Sequence, residues 1–128
     1  MIFHQLKFCN PDVSELAKLA DVAFLALPHG LATEYAIPLL NAGLIVIDIS
    51  ADFRLRSTAK YEEYYGEPHP APELLKQAVY GQPERYREQL KTANLIACAG
   101  CYPTSSILPS APLLAPWELL PAALSVVL

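Results

Sequence analysis

Apolar positions in this chain follow two rhythms. Val13, Leu16, Ala17 and Ala20 recur at three- and four-residue spacing, which predicts a short amphipathic helix. Asn10-Pro11-Asp12 in front of it supplies a side-chain cap and a proline for the first turn. Val22-Ala23-Phe24-Leu25-Ala26-Leu27 is instead an unbroken apolar run of strand length, stopped by Pro28-His29-Gly30. That pattern predicts a strand buried on both faces. Helical spacing returns from Leu31 to Asn41, with Pro38 as a kink and Gly43 as a left-handed stop. Leu44-Ile45-Val46-Ile47-Asp48-Ile49 is a second buried strand, rich in β-branched residues, that leads into Ser50-Ala51-Asp52-Phe53-Arg54.

Strand, helix and strand at these lengths make a parallel βαβ unit. The fold class is therefore α/β, a partial Rossmann-like parallel sheet with flanking helices, and ligand-binding loops are expected after Leu27 and Ile49. From Ser57 to Thr92 the chain is polar and aromatic. Tyr61, Tyr64 and Tyr65 fall on one helical face, Pro68 to Pro72 form a proline-rich turn, and Glu84–Lys91 is helical. Ala93-Asn94-Leu95-Ile96-Ala97 predicts a third buried strand, ending at Cys98-Ala99-Gly100-Cys101-Tyr102-Pro103-Thr104. Pro103 suits the first turn of a following helix, which Pro109 and Pro112 should make short or bent. After Trp117-Glu118, Leu124–Leu128 read as a strand that stops without a turn or polar cap.

Composition narrows the class. With 53% hydrophobic and 17% charged residues, the 128-residue chain can build one modest core, which excludes a disordered or collagen-like protein. A net charge of −4 provides no basic footprint, so nucleic acid is not an expected partner. The apolar runs fall short of the roughly 20 residues of a membrane span, and Pro121 interrupts the one at Leu119–Leu128. Met1–Phe8 lack the pattern of a secretory signal, which makes a reducing cytoplasmic setting the expectation; three cysteines, an odd number, agree with it.

Candidate chemistry centres on Cys101. A cysteine between a buried strand and a helix amino terminus faces unpaired N–H groups and the positive end of the helix dipole, which stabilise a thiolate. Local geometry alone leaves a reactive and a buried structural role both open. Cys98 and Cys101 also form a C-x-x-C, compatible with a dithiol redox pair or half a zinc site. Zinc would need two more ligands, and Cys9, His4, His29 and His69 are scattered singly, so no metal is expected. A thioredoxin-like fold would place the motif after its first strand. His29 lies where a ligand could approach the backbone, with turn packing as the other reading; His69, between two prolines, reads as a solvated loop residue. Asp52 and Arg54 could orient an anionic substrate or form a surface pair, and the tyrosine face reads as packing. No G-x-G-x-x-G and no Walker loop occurs in the sequence.

Five segments in order, Phe24–Gly30, Val46–Leu55, Tyr64-Tyr65-Gly66, Ala78-Val79-Tyr80-Gly81 and Gly100–Thr104, resemble the N-acetyl-gamma-glutamyl-phosphate reductase family, relatives of aspartate-semialdehyde dehydrogenase. The resemblance covers roughly Asp12 to Leu128. It implies that Cys101 is a catalytic nucleophile that takes the acyl group of a small-molecule acyl phosphate as a thioester, and that NADPH reduces this to the semialdehyde. It implies that Pro28, His29 and Gly30 lie along the NADP cofactor and that the full-length enzyme is a homo-oligomer; roles within Ser50–Arg54 stay unassigned. It also implies an interior fragment, truncated at both ends. Residues 1–128 would then be a partial dinucleotide-binding domain, with the glycine-rich loop preceding residue 1. A substrate and dimerisation domain carrying a catalytic histidine would follow Leu128. Such a fragment is expected to be inactive alone. Ala99 departs from the family's usual proline, which makes the C-x-x-C incidental to the family mechanism, and Pro109 is unusual in its helix. A dithiol oxidoreductase using Cys98 and Cys101, or a non-catalytic remnant, are the alternatives.

Overall fold

A computed structural model describes Phe8 and residues 10–114. The expected strand at Leu124–Leu128, Pro121, Cys9 and His4 lie outside the described residues. Helix α1 (Val13–Leu19) is capped by Asp12, whose carboxylate accepts from the Ser14 and Glu15 N–H groups at 2.8 and 3.2 Å. Asp12 rather than Asn10 is thus the cap, and Pro11 stands outside the first turn instead of within it.

Strand β1 (Val22–Leu25) is followed by α2 (Ala32–Asn41) and β2 (Ile45–Asp48), pairing in parallel with Val22 opposite Ile45 and Leu25 opposite Asp48. Gly43 turns the chain between α2 and β2 at φ +88°, as expected for a left-handed stop. Pro38 stays inside α2. Burial on both faces of β1 does not hold. Leu25 is buried with Val46 and Asp48 on the face that carries the core, whereas Val22, Phe24 and Ile45 face the other way and are exposed, Phe24 by 67%. The cause is coverage: α2 packs on one face of β1 and β2, and among the described residues the opposite face of these strands is left open at Val22, Phe24 and Ile45.

The middle of the chain holds more structure than its periodicity suggests. Helices α3 (Thr58–Tyr65) and α4 (Pro72–Gln77) precede a three-residue strand, β3 (Val79–Gly81), and α5 (Pro83–Leu90) leads to β4 (Leu95–Cys98). Pro72 and Pro83 each open their helix, where a missing N–H costs nothing. Strand β4 inserts between β2 and β3, giving a four-stranded parallel sheet of order β1-β2-β4-β3. Leu25, Ala36, Leu39, Val46, Leu75 and Leu95 form its core. Helix α6 then runs from Cys101 to Leu114. It is 14 residues long with Pro109 and Pro112 inside it, so of the two expected outcomes, short or bent, the first does not hold. Ser110 Oγ donates to the Ser106 carbonyl at 2.6 Å, supplying a side-chain bond between the two turns that the prolines weaken.

Because all strands run the same way, their carboxyl ends bring the loops after β1, β2, β3 and β4 to one edge of the sheet. That edge is where Pro28–Gly30, Ser50–Arg54, Gln82 and Ala99–Cys101 meet.

Candidate active site

Asp52 organises the first half of this edge. Its carboxylate is fully buried and accepts from Gly30 N at 2.8 Å, from Ala32 N at 3.0 Å and from His29 Nδ1 at 2.7 Å. Ala32 is the first residue of α2, and Leu31 before it makes no side-chain cap. A carboxylate from the β2 loop therefore caps α2 from a distance, satisfying open N–H groups and meeting the positive end of the dipole. The Pro28-His29-Gly30 loop is held in place by the same contacts. Gly30 adopts φ +87°, and a Cβ built there would meet nothing within 4 Å. The loop is thus both backbone-restricted to glycine and open to a ligand.

His29 is packed rather than free. Its ring centroid lies 4.1 Å from Tyr65 and 5.8 Å from Tyr61, and its Nε2 is 3.5 Å from the Tyr61 hydroxyl. Tyr61 is buried, and burial first, then the Asp52 charge, push its phenol up to about 12. Tyr64 points away, 57% exposed, beneath the Lys60 ammonium, so the three tyrosines do not share one packed face. His69 is buried, not a solvated loop residue. Its Nδ1 accepts from Ala71 N at 3.0 Å, and its Nε2 lies 3.1 Å from the Asp52 carbonyl, to which it therefore donates. Burial pushes the imidazole down from its ordinary value.

Arg54 organises the second half. Its Nε donates to the Cys98 carbonyl at 2.8 Å and its Nη2 to the Ile49 carbonyl at 2.9 Å, tying the end of β2 to the end of β4. A Cβ on Gly100 would come within 3.1 Å of Arg54 Nη1 and 3.3 Å of Pro103 Cδ, so glycine lets the guanidinium lie against the loop beside Cys101. Asp52 and Arg54 do not form a surface pair: each reaches to a different strand end. Between them Asp48 is buried, accepting from Ser50 N at 3.0 Å and Ser50 Oγ at 2.9 Å, and burial pushes its carboxyl up.

Cys101 opens α6 with its side chain exposed, and the Gly100 carbonyl accepts from Thr104 N at 3.0 Å to close the first turn. Cys98, half-buried at the end of β4, has its thiol pushed up by burial and then by the Asp48 charge. The two thiols therefore differ, one exposed at a helix terminus and the other kept protonated by its surroundings. Among the described residues no group of three or more histidine, cysteine, aspartate or glutamate side chains could hold a metal ion. The structure brings His29, Asp52, Tyr61, Tyr65 and His69 into one cluster and Arg54, Gly100 and the Cys98 carbonyl into another, joined through Ser50–Arg54. Sequence reasoning missed the bridging role of Asp52 and Arg54. No local pattern signals it, because the far ends of the two bridges, Ala32 and Cys98, lie 20 and 44 residues from Asp52 and Arg54.

The sequence model described as "Semialdehyde dehydrogenase, NAD binding domain" matches residues 2–93. The chain belongs to this family. Among its relatives, the N-acetyl-gamma-glutamyl-phosphate reductase of Akkermansia muciniphila is 56% identical over 109 residues, 84% of this chain and 31% of the relative. That of Ectopseudomonas mendocina is 54% identical over 112 residues, 88% of this chain and 32% of the relative. The reductase of Methanopyrus kandleri is 49% identical over 111 residues, covering 87% and 32%. The chain thus spans about a third of the length of the curated relatives it matches.

The semialdehyde dehydrogenase assignment agrees with the geometry at the strand ends. The open Gly30 backbone and the pinned Pro28–Gly30 loop lie on the same sheet edge as Cys101, the edge at which parallel α/β sheets hold their ligands. No described helix is long and apolar enough to cross a membrane.

Proposed function

We propose that this chain is the cysteine-bearing dinucleotide domain of an NADP-dependent reductase that converts N-acetyl-gamma-glutamyl phosphate to the corresponding semialdehyde. The observation that carries the reading is Cys101, exposed at the start of α6 on a loop braced by Arg54. The names of the relatives support the substrate.

In this reading the Cys101 thiolate attacks the acyl carbon, the bond from that carbon to the phosphate oxygen breaks, and inorganic phosphate leaves. The acyl group stays on Sγ as a thioester. When bound, the dinucleotide supplies the hydride that reduces this thioester. The carbon–sulfur bond then breaks, the semialdehyde departs, and the thiolate is restored. The α6 N–H groups stabilise the sulfur anion at both ends of the cycle. Arg54 fixes the loop that carries it. Pro28, His29 and Gly30 line the cofactor, with Gly30 allowing close approach of the backbone.

NADPH is the donor in this proposal, a cytoplasmic homo-oligomer is the full-length assembly, and a small-molecule acyl phosphate is the partner. The share of the relatives' length that is matched supports residues 1–128 as one part of that enzyme, and a substrate and dimerisation domain completes it in this proposal.

Incubation with N-acetyl-gamma-glutamyl phosphate followed by intact-mass and peptide analysis tests the reading. A hydroxylamine-sensitive acyl adduct on Cys101, absent in Cys101→Ser, is the expected result. An adduct on Cys98, or a reversible Cys98–Cys101 disulfide in place of acylation, would overturn it.

A further inference from the structure

We propose that Asp52 is a positioning residue for this site: its carboxylate selects the His29 tautomer that carries the proton on Nδ1, leaving Nε2 as an acceptor for a hydroxyl or carboxamide of the nicotinamide dinucleotide. The inference rests on the reductase reading and deepens it.

Asp52 is fully buried, and an ionised carboxylate can only accept. Three donors converge on it, two of them backbone N–H groups that cannot turn away. The third is His29 Nδ1, at 2.7 Å. If the single proton of a neutral imidazole sat on Nε2, the Nδ1 lone pair would face a carboxylate oxygen at that distance. The Nδ1–H form removes this repulsion and gains a charge-assisted bond. Nε2 is then an acceptor whose described hydrogen-bond contact is the Tyr61 hydroxyl, at the 3.5 Å limit. Tyr65 packs at 4.1 Å between ring centroids, while the next residue, Gly30, opens onto free space. With 38% of its side chain exposed, His29 presents that acceptor at the loop the dinucleotide is proposed to follow.

Alanine at position 52 removes every carboxylate contact to Gly30, Ala32 and His29. Nothing then holds the proton on Nδ1, and His29 returns to the Nε2–H form that a neutral imidazole prefers in water.

Long-range ¹H–¹⁵N NMR of the histidine-labelled chain at pH 8 reads the tautomer directly. Wild-type His29 is expected as Nδ1–H and Asp52→Ala as Nε2–H. His69 is an internal control, because its Nδ1 accepts from Ala71 and must stay Nε2–H in both. His29 as Nε2–H in the wild type, or an unchanged His29 tautomer in Asp52→Ala with the His69 signature intact, would overturn the proposal. Should Asp52→Ala unfold, His29→Asn keeps a donor to Asp52 but removes Nε2. In that variant the response of the Gly30 amide to millimolar NADPH is expected to fall by about fivefold, the loss of one hydrogen bond. An unchanged response overturns this inference, and acylation of Cys101 in the same sample shows that the reductase reading still stands. Failure of Cys101 acylation overturns the reading itself.

Discussion

Gln82 follows β3 at the strand-end edge and is 1% exposed, yet neither its amide nitrogen nor its amide oxygen has a hydrogen-bond partner among the described residues. A buried polar group left without a partner costs about 1–3 kcal/mol. Leucine has nearly the same length and volume and nothing to desolvate, so Gln82→Leu should raise stability by about that amount, seen as a higher urea midpoint with an unchanged slope. A lower midpoint would show that Gln82 is satisfied in solution. His69 gives the opposite kind of test, one of pH. Its folded value lies below the ordinary 6.5 because burial disfavours the charged ring, so the folded state binds fewer protons than the unfolded one between those two values. Stability from this group is complete above about pH 6.5 and is lost as pH falls from there through the folded value, with no further loss below it. Asp48, raised by burial, acts in the reverse direction and in the separate window just above the ordinary carboxylate value of 3.8. Urea midpoints of the wild type should therefore fall between pH 7.5 and 5.5, and His69→Gln should flatten that fall.

At the scale of elements, the reach of the sequence depended on how local each cause was. β1, α2, β2, β4 and the start of α6 follow from apolar runs cut by Pro28, Gly43 and Pro103, signals contained within a few residues. β3 has three residues and α4 six, too few for any period to register. The exposure of Val22 and Phe24 depends on which face of the sheet a helix covers, and that coverage is not written in any one segment. The site divides in the same way. Cys101 was legible because a helix start is local, whereas the burial of His69 and the reach of Arg54 are set by distant contacts. The Arg54 brace yields a prediction of its own. Because it holds the Cys98 carbonyl and rests against Gly100, Arg54→Met should loosen the loop, remove a cation beside it, and slow iodoacetamide labelling of Cys101 at neutral pH by about three- to tenfold. In the unmodified chain Cys101 should label before Cys98, whose thiol is pushed up. Peptide mapping decides both points, and faster modification of Cys98 would contradict the assignment of the nucleophile.

For the whole molecule, the decisive prediction is that this chain does not by itself reduce N-acetyl-gamma-glutamyl phosphate at a rate approaching that of a full-length relative. Dinucleotide affinity in parallel α/β sheets rests on a glycine-rich turn that presents helix N–H groups to the pyrophosphate, and the 128-residue sequence contains no G-x-G-x-x-G. The loop at Pro28–Gly30 can meet the reactive end of the cofactor but offers no comparable cradle for its charged middle. Proton transfer is the second deficit. General acid–base help contributes about 10²- to 10⁴-fold; of the two described histidines, His69 is engaged through both ring nitrogens, and His29 has Nδ1 on Asp52 and Nε2 committed, in the proposal above, to holding the cofactor. Thioester formation needs neither feature, since Cys101 requires only its thiolate and an acyl phosphate that reacts on collision. The two half-reactions should therefore separate: acylation of Cys101 proceeds, while NADPH oxidation followed at 340 nm stays at the level of a Cys101→Ser control. Turnover close to that of a full-length reductase, abolished by Cys101→Ser, would mean that the pyrophosphate and the proton are handled by residues other than those at the strand ends.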